Sequence, residues 1–137
     1  MPYTHAIYPR INLAIVAGKG YVDLNTSLKA MEDLYMDPSF KFHYCVIFDL
    51  RRIEYLSTID DLKKIAKALA QKKDILTNKH ALVMSDRYKP LGELISLYTA
   101  DEGFNLNVFT SLSDALNFMS DCIGHWDHAQ FLNNGPL

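Results

Sequence analysis

The run Cys45-Val46-Ile47-Phe48, ending in Asp49-Leu50, has no polar face. A strand of that kind must be covered on both sides, which places it centrally in a layered α/β sheet. Apolar strands and amphipathic segments then alternate downstream. With 137 residues, the chain has the size of one domain and can bury about 68% of its unfolded surface without a disulfide or metal staple. The expected domain spans residues 1–123, with 124–137 a weakly ordered tail.

Taken in order, His5 to Tyr8 and Ile11 to Ala17 read as two short strands on either side of Pro9, closed by Gly18-Lys19-Gly20. They form either an opening antiparallel hairpin or one kinked strand. Asp23 caps a helix carrying Leu24, Leu28, Met31 and Leu34 or Tyr35, which Asp37-Pro38 ends. After the central strand, Leu50 to Leu56 reads as a connection. Ser57 or Thr58 then caps a long helix with Leu62, Ile65, Leu69 and Leu76 on its buried face, ending at Thr77-Asn78. His80 to Met84 is a further apolar strand. Pro90 opens a helix packing Leu91, Leu94, Ile95 and Tyr98. Leu106 to Phe109 is the last strand, and Ser111 or Ser113 caps a final helix carrying Ala115, Leu116, Met119 and Ile123. The pattern is β-β-α-β-α-β-α-β-α: one open, mixed but mostly parallel sheet of about five strands, covered by about four helices.

Charge excludes one class. Fourteen basic against sixteen acidic residues give a net charge of −2, whereas a general nucleic-acid binder needs a positive excess to neutralise phosphates. The cluster Lys63, Lys64, Lys67, Lys72 and Lys73 reads as a solvated helix face. Cys45 and Cys122 lie in apolar patterns, where thiols act as small hydrophobes; a reducing, cytoplasmic setting is expected. The longest early apolar run, Leu13 to Ala17, is too short for a signal core or a membrane span.

Catalytic and metal motifs fail on spacing. Gly18-Lys19-Gly20 lacks the spacer and Lys-Ser/Thr ending of a phosphate loop. Asp49 and Ser85 end successive strands and resemble a phospho-accepting receiver site, yet no acidic pair is present to hold Mg²⁺ and Phe109-Thr110 lacks the lysine. His125 and His128 lack a third ligand, and Trp126 reads as packing. There is no Gly-x-Ser-x-Gly elbow, and both thiols are poorly placed for nucleophilic work. No enzyme, metal or cofactor is expected.

Asp49 to Leu62, DLRRIEYLSTIDDL, resembles the strand-loop-helix centre of STAS domains, the anti-sigma-factor-antagonist (SpoIIAA-like) family. Asp37-Pro38-Ser39-Phe40, HALVMSD and VFTSLSDALNFM extend the resemblance to small SpoIIAA-like, STAS/SEC14-type bacterial proteins over roughly residues 12–122. It implies a phospho-acceptor at the helix start, falling on Thr58, with Ser57 in the preceding Asp position. The family's Asp-Ser-Ser-Gly has become Ser57-Thr58-Ile59-Asp60, without the glycine, and Asp60 and Asp61 already occupy the positive helix end. The residues by themselves make Ser57 or Thr58 an N-cap.

Two functions follow as expectations. The first is a non-enzymatic regulatory domain that binds a protein partner, a regulator or kinase, through Asp49, Arg51 and the loop holding Asp60 and Asp61. The alternative is a binder of a small apolar molecule or lipid in a pocket between helices and sheet. Its rim would be Arg87, Tyr88, Lys89 and Tyr98, its mouth Arg87 to Leu91, and its walls Leu97, Tyr98, Tyr35 and Met36. Aromatic side chains beyond core needs also make a homodimer a third expectation.

Overall fold

A computed structural model of the protein describes residues 2–55 and 58–124, so Leu56, Ser57, Trp126 and both tail histidines fall outside the described residues. Strand β1 (Tyr3–Tyr8) leads through a single 3-10 turn, Pro9–Ile11, into β2 (Leu13–Tyr21). Helix α1 (Leu24–Tyr35), β3 (Cys45–Tyr55), α2 (Ile59–Ala70), β4 (His80–Met84), α3 (Lys89–Asp101), β5 (Leu106–Phe109) and α4 (Leu112–Phe118) follow. The sheet order is β1-β2-β3-β4-β5. β1 runs antiparallel to β2 and the other three pairings are parallel, so the opening is a hairpin.

That order decides where the helices go. Strands β2 to β5 are laid down in one direction, and right-handed crossovers made in one direction all pass over the same face. Ala30, Met31 and Leu34 of α1, Leu62, Ile65 and Leu69 of α2, and Ile95 of α3 accordingly share one core with Val16, Val46, Phe48, Leu82 and Met84. The opposite core joins Leu13, Ile15, Cys45, Ile47, Ala81 and Val83 to Leu112, Ala115 and Leu116 of α4. Alternate residues of each strand thus enter different cores, as the fully apolar runs require. Cys45 sits in the α4-side core with its thiol pushed up to about 12, first by burial and then by neighbouring Cys122.

Three boundaries and one helix face differ from the sequence reading. β2 runs through Gly18-Lys19-Gly20 instead of turning there. A Cβ on Gly18 would lie 2.8 Å from the Tyr3 ring, so glycine lets that ring cross the strand, and Gly20 takes φ +69° at a bulge. Leu50 to Tyr55 is strand, because β2 continues beside it as a partner. α2 ends at Ala70. The polar run Gln71 to Asp74 offers no apolar anchor, and tight turns through it carry Leu76 into the core from outside the helix. On α3 the innermost residues are Gly92, Ile95 and Thr99, with Leu91, Leu94 and Tyr98 only half-buried. A Cβ at Gly92 would stand 3.0 Å from Met84, so the helix seats closely on the sheet there.

His80 is buried between the rings of Phe48 and Phe104, at centroid distances of 6.4 and 5.1 Å. Its Nδ1–H donates to the Asn78 carbonyl at 3.1 Å, which leaves Nε2 a lone-pair acceptor without a partner among the described residues. Burial, outweighing that hydrogen bond, lowers its pKa to about 4. Below pH 6.5 the unfolded chain takes a proton at this site that the folded chain refuses until about pH 4. Stability should therefore fall as pH drops through that window, by up to about one proton's linkage per molecule. Urea unfolding of wild type and His80→Phe at several pH values checks this: the slope assigned to His80 should vanish in the variant.

Candidate functional site

Ligands of open α/β sheets gather at the carboxyl ends of the strands, and the residues singled out in the sequence mostly meet there. The β3–β4 pairing stops at Leu50↔Met84, whereas the β2–β3 pairing continues to Tyr21↔Tyr55. A two-stranded ribbon thus outruns the sheet. Between Ala17↔Asp49 and Lys19↔Arg52, β3 spends one residue more than β2, and it does so again before Tyr21↔Tyr55. These bulges re-phase the strand, so Ile53 turns into the core while Arg51, Arg52 and Glu54 are exposed.

Asp49 is not a free strand-end carboxylate. Arg51 grips it in a bidentate pair, Nε–H to Oδ1 at 2.8 Å and Nη2–H to Oδ2 at 2.7 Å. The carboxylate raises the Arg51 pKa further, chiefly through that hydrogen bonding. Thr58 is exposed and caps α2, its Oγ1 accepting from the Asp61 N–H at 3.3 Å. Asp60 and Asp61 fill the first turn. Ile59 is 53% exposed, and Tyr21, at the tip of the ribbon, is 64% exposed.

The residues expected to form one ligand rim are separated. Tyr88 donates its hydroxyl to the Glu54 carbonyl at 2.6 Å, bracing the start of α3 against the ribbon. Arg87 lies over the Tyr88 ring at 5.2 Å, and Lys89 reaches Glu93 at 3.8 Å. Tyr98 stands about 15 Å further along α3, at 1.5 Å per residue, with the Lys63 ammonium 5.5 Å from its ring.

Three cavities matter, and none is lined by these four side chains. Between the sheet and α1–α3 lies an apolar cavity of about 40 Å³, bounded by Val16, Ala30, Met31, Phe48, Ile65 and Leu82 among others. By itself it is far below the roughly 300 Å³ of a small-molecule site. A groove of about 340 Å³ runs along α1 and α2 past Met31, Tyr35, Met36, Ala68 and Lys72. Tyr35 and Met36 were expected as walls of an internal pocket; they line this outer groove instead.

The third cavity, about 730 Å³, opens at the amino ends of β4 and β5 beside His80 and was not anticipated from the sequence. Its cations are occupied: Lys79 Nζ reaches Asp121 at 2.7 Å and the Phe118 carbonyl at 3.0 Å, and Lys73 Nζ reaches the Glu102 carbonyl at 2.8 Å. Lysines 29 to 42 residues distant from those partners carry no sequence signal of such pairing. Among the described residues no group of three or more His, Cys, Asp or Glu is placed to hold a metal ion, and no helix is long and apolar enough to cross a membrane.

The Thr58 cap can be checked directly. Thr58→Ala should lower stability by about 1 kcal/mol, and Thr58→Ser should restore most of it, measured by urea unfolding. Comparison with known proteins finds no matching family model, no matching curated protein and no matching solved structure.

Proposed function

We propose that this chain is a non-enzymatic, protein-binding domain that offers a partner the carboxyl-end surface built by the β2–β3 ribbon and the start of α2. One observation carries the reading: Tyr21 and Ile59, both more than half exposed, stand where the ribbon outruns the sheet and α2 begins. Apolar side chains among Arg51, Arg52, Glu54, Asp60 and Asp61 have the composition of an interface centre with a charged rim. The resemblance to STAS antagonists supports the same surface and adds a regulator or kinase as the partner class.

A switch at Thr58 would work by weakening the helix start. Phosphate there would keep an acceptor for the Asp61 N–H but put about two negative charges beside Asp60 and Asp61, a like-charge repulsion that opposes its attraction to the helix dipole.

The test is quantitative affinity capture from native lysate, using wild type, Tyr21→Ala/Ile59→Asp, and Leu97→Asp as a control on an exposed residue of α3. A stoichiometric partner should be retained by wild type and control and lost at least about tenfold by the double variant, as the burial of two interface anchors requires. Equal recovery by all three chains, or no stoichiometric protein with wild type, would sink the reading.

A second reading, binding of a small ligand, is supported by a different observation. The Tyr35 hydroxyl is buried and has no hydrogen-bond partner among the described residues, and its side chain lines the α1–α2 groove. Buried polar groups are normally satisfied. The groove, at about 340 Å³, reaches the lower end of ligand-site volumes.

A further inference from the structure

The α1–α2 groove and the cavity over the sheet have one side chain in common. Met31 lines both, and it is itself buried. Methionine is unbranched with three rotatable bonds and adapts to irregular space, so a change of rotamer can join two voids that a β-branched residue would keep apart. Inward of Met31 the lining is Ala30, Phe48, Ile65 and Leu69, fit for a hydrocarbon chain and little else. The polar pair in that lining, the Tyr3 hydroxyl and Ser27 Oγ, is satisfied internally at 2.9 Å.

Outward of Met31 the lining is mixed, with polar side chains beside Leu28, Met36 and Ala68. Glu32, Gln71 and Lys72 stand exposed along the groove, and Tyr35 lines it with a hydroxyl that is buried beneath its surface and has no hydrogen-bond partner among the described residues. A phenol is protonated at ordinary pH, and burial raises its pKa further, so it meets an acceptor oxygen as a donor. Lys72 supplies a positive charge, and Glu32 opposes a second negative one, which favours a monoanionic headgroup over a phosphate. Granting the ligand-binding reading, on which this rests, we propose that the groove binds a single-chain carboxylate amphiphile. The carboxylate pairs with Lys72 and reaches the Tyr35 hydroxyl by displacing the packing that covers it, and the chain lies along the groove with only its end passing Met31 into the cavity over the sheet.

The site lies toward the carboxyl ends of α1 and α2, away from the protein-binding surface at the start of α2, so the two can be tested separately. Equilibrium dialysis with dodecanoate and dodecan-1-ol, below their aggregation limits, is the experiment. Wild type should bind dodecanoate saturably and one to one, and the alcohol distinctly more weakly. Tyr35→Phe should weaken dodecanoate about tenfold or more by removing a hydrogen bond to a charged acceptor. The same variant should leave the melting temperature of the ligand-free protein unchanged or higher, since the hydroxyl it loses is unpartnered. Ala30→Val places two methyl groups in the inner cavity and should weaken binding about tenfold, the equivalent of two methylenes displaced.

Binding of the alcohol as tight as that of the acid, with the Ala30→Val loss intact, overturns the carboxylate assignment and leaves the ligand reading standing. Binding indifferent to both substitutions overturns the site. Absence of saturable binding by either probe overturns the inference together with the ligand reading beneath it.

Discussion

Two-sided burial of β3 is the constraint on which the rest of the structure depends. Val46 and Phe48 face one core, Cys45 and Ile47 the other, and neither set can be left in water. Burying an aliphatic or aromatic side chain is worth about 1.5–3 kcal/mol, so an uncovered face on this strand and its neighbours would exceed the whole net stability of an ordinary domain. Three crossovers made in one direction cover the first face. The second falls to α4, only seven residues long, with Met119 and Ile123 extending it beyond the helix. Pro9–Ile11 and the hydrogen bond from the Gly124 N–H to the Ile11 carbonyl at 3.0 Å secure that side at the sheet margin.

Coverage of both faces leaves the two ends of the sheet as the places where function can be built. At the carboxyl end, β2 and β3 outrun β4, and the exposed groups there are partly held in place by their neighbours: Arg51 by Asp49, and the ribbon by the Tyr88 hydroxyl. Positioned side chains lose less entropy on association than free ones. Toward the other end, a groove lies between α1 and α2, and α2 contributes to both regions through different turns. Partner binding at its start and ligand binding near its end would therefore act on one rigid element, with Thr58 and Lys72 separated by most of its length.

The elements themselves were written locally. Asp23 before a 3.6-residue apolar period specifies α1, and the structure adds that Thr26 returns the cap with its own side chain. Four apolar residues in succession specify β3 and β4, and Pro90 sets the start of α3 in its first turn. The misjudged boundaries share a cause. Gly18-Lys19-Gly20 and Arg51 to Tyr55 look like turn and connection because each is strand only by virtue of the other across the β2–β3 ladder. Leu76 fitted the helical spacing of α2, but where a chain must turn back under a sheet is not set by spacing.

By itself, the sequence determined that the protein is a layered α/β domain with a mostly parallel sheet, since hydrophobic periodicity and capping act over a few residues. It also placed the cap of α2 at Ser57 or Thr58, and the structure puts it on Thr58. Tertiary structure alone decided that α1, α2 and α3 share one face, because that follows from strand order, a relation among residues far apart in the chain. It alone decided that the Tyr35 hydroxyl is sealed without a hydrogen-bond partner among the described residues, and that Met31 stands between two voids. Cavities and orphaned hydroxyls are properties of how elements fit together, and no local pattern of residues encodes the gaps left when they do.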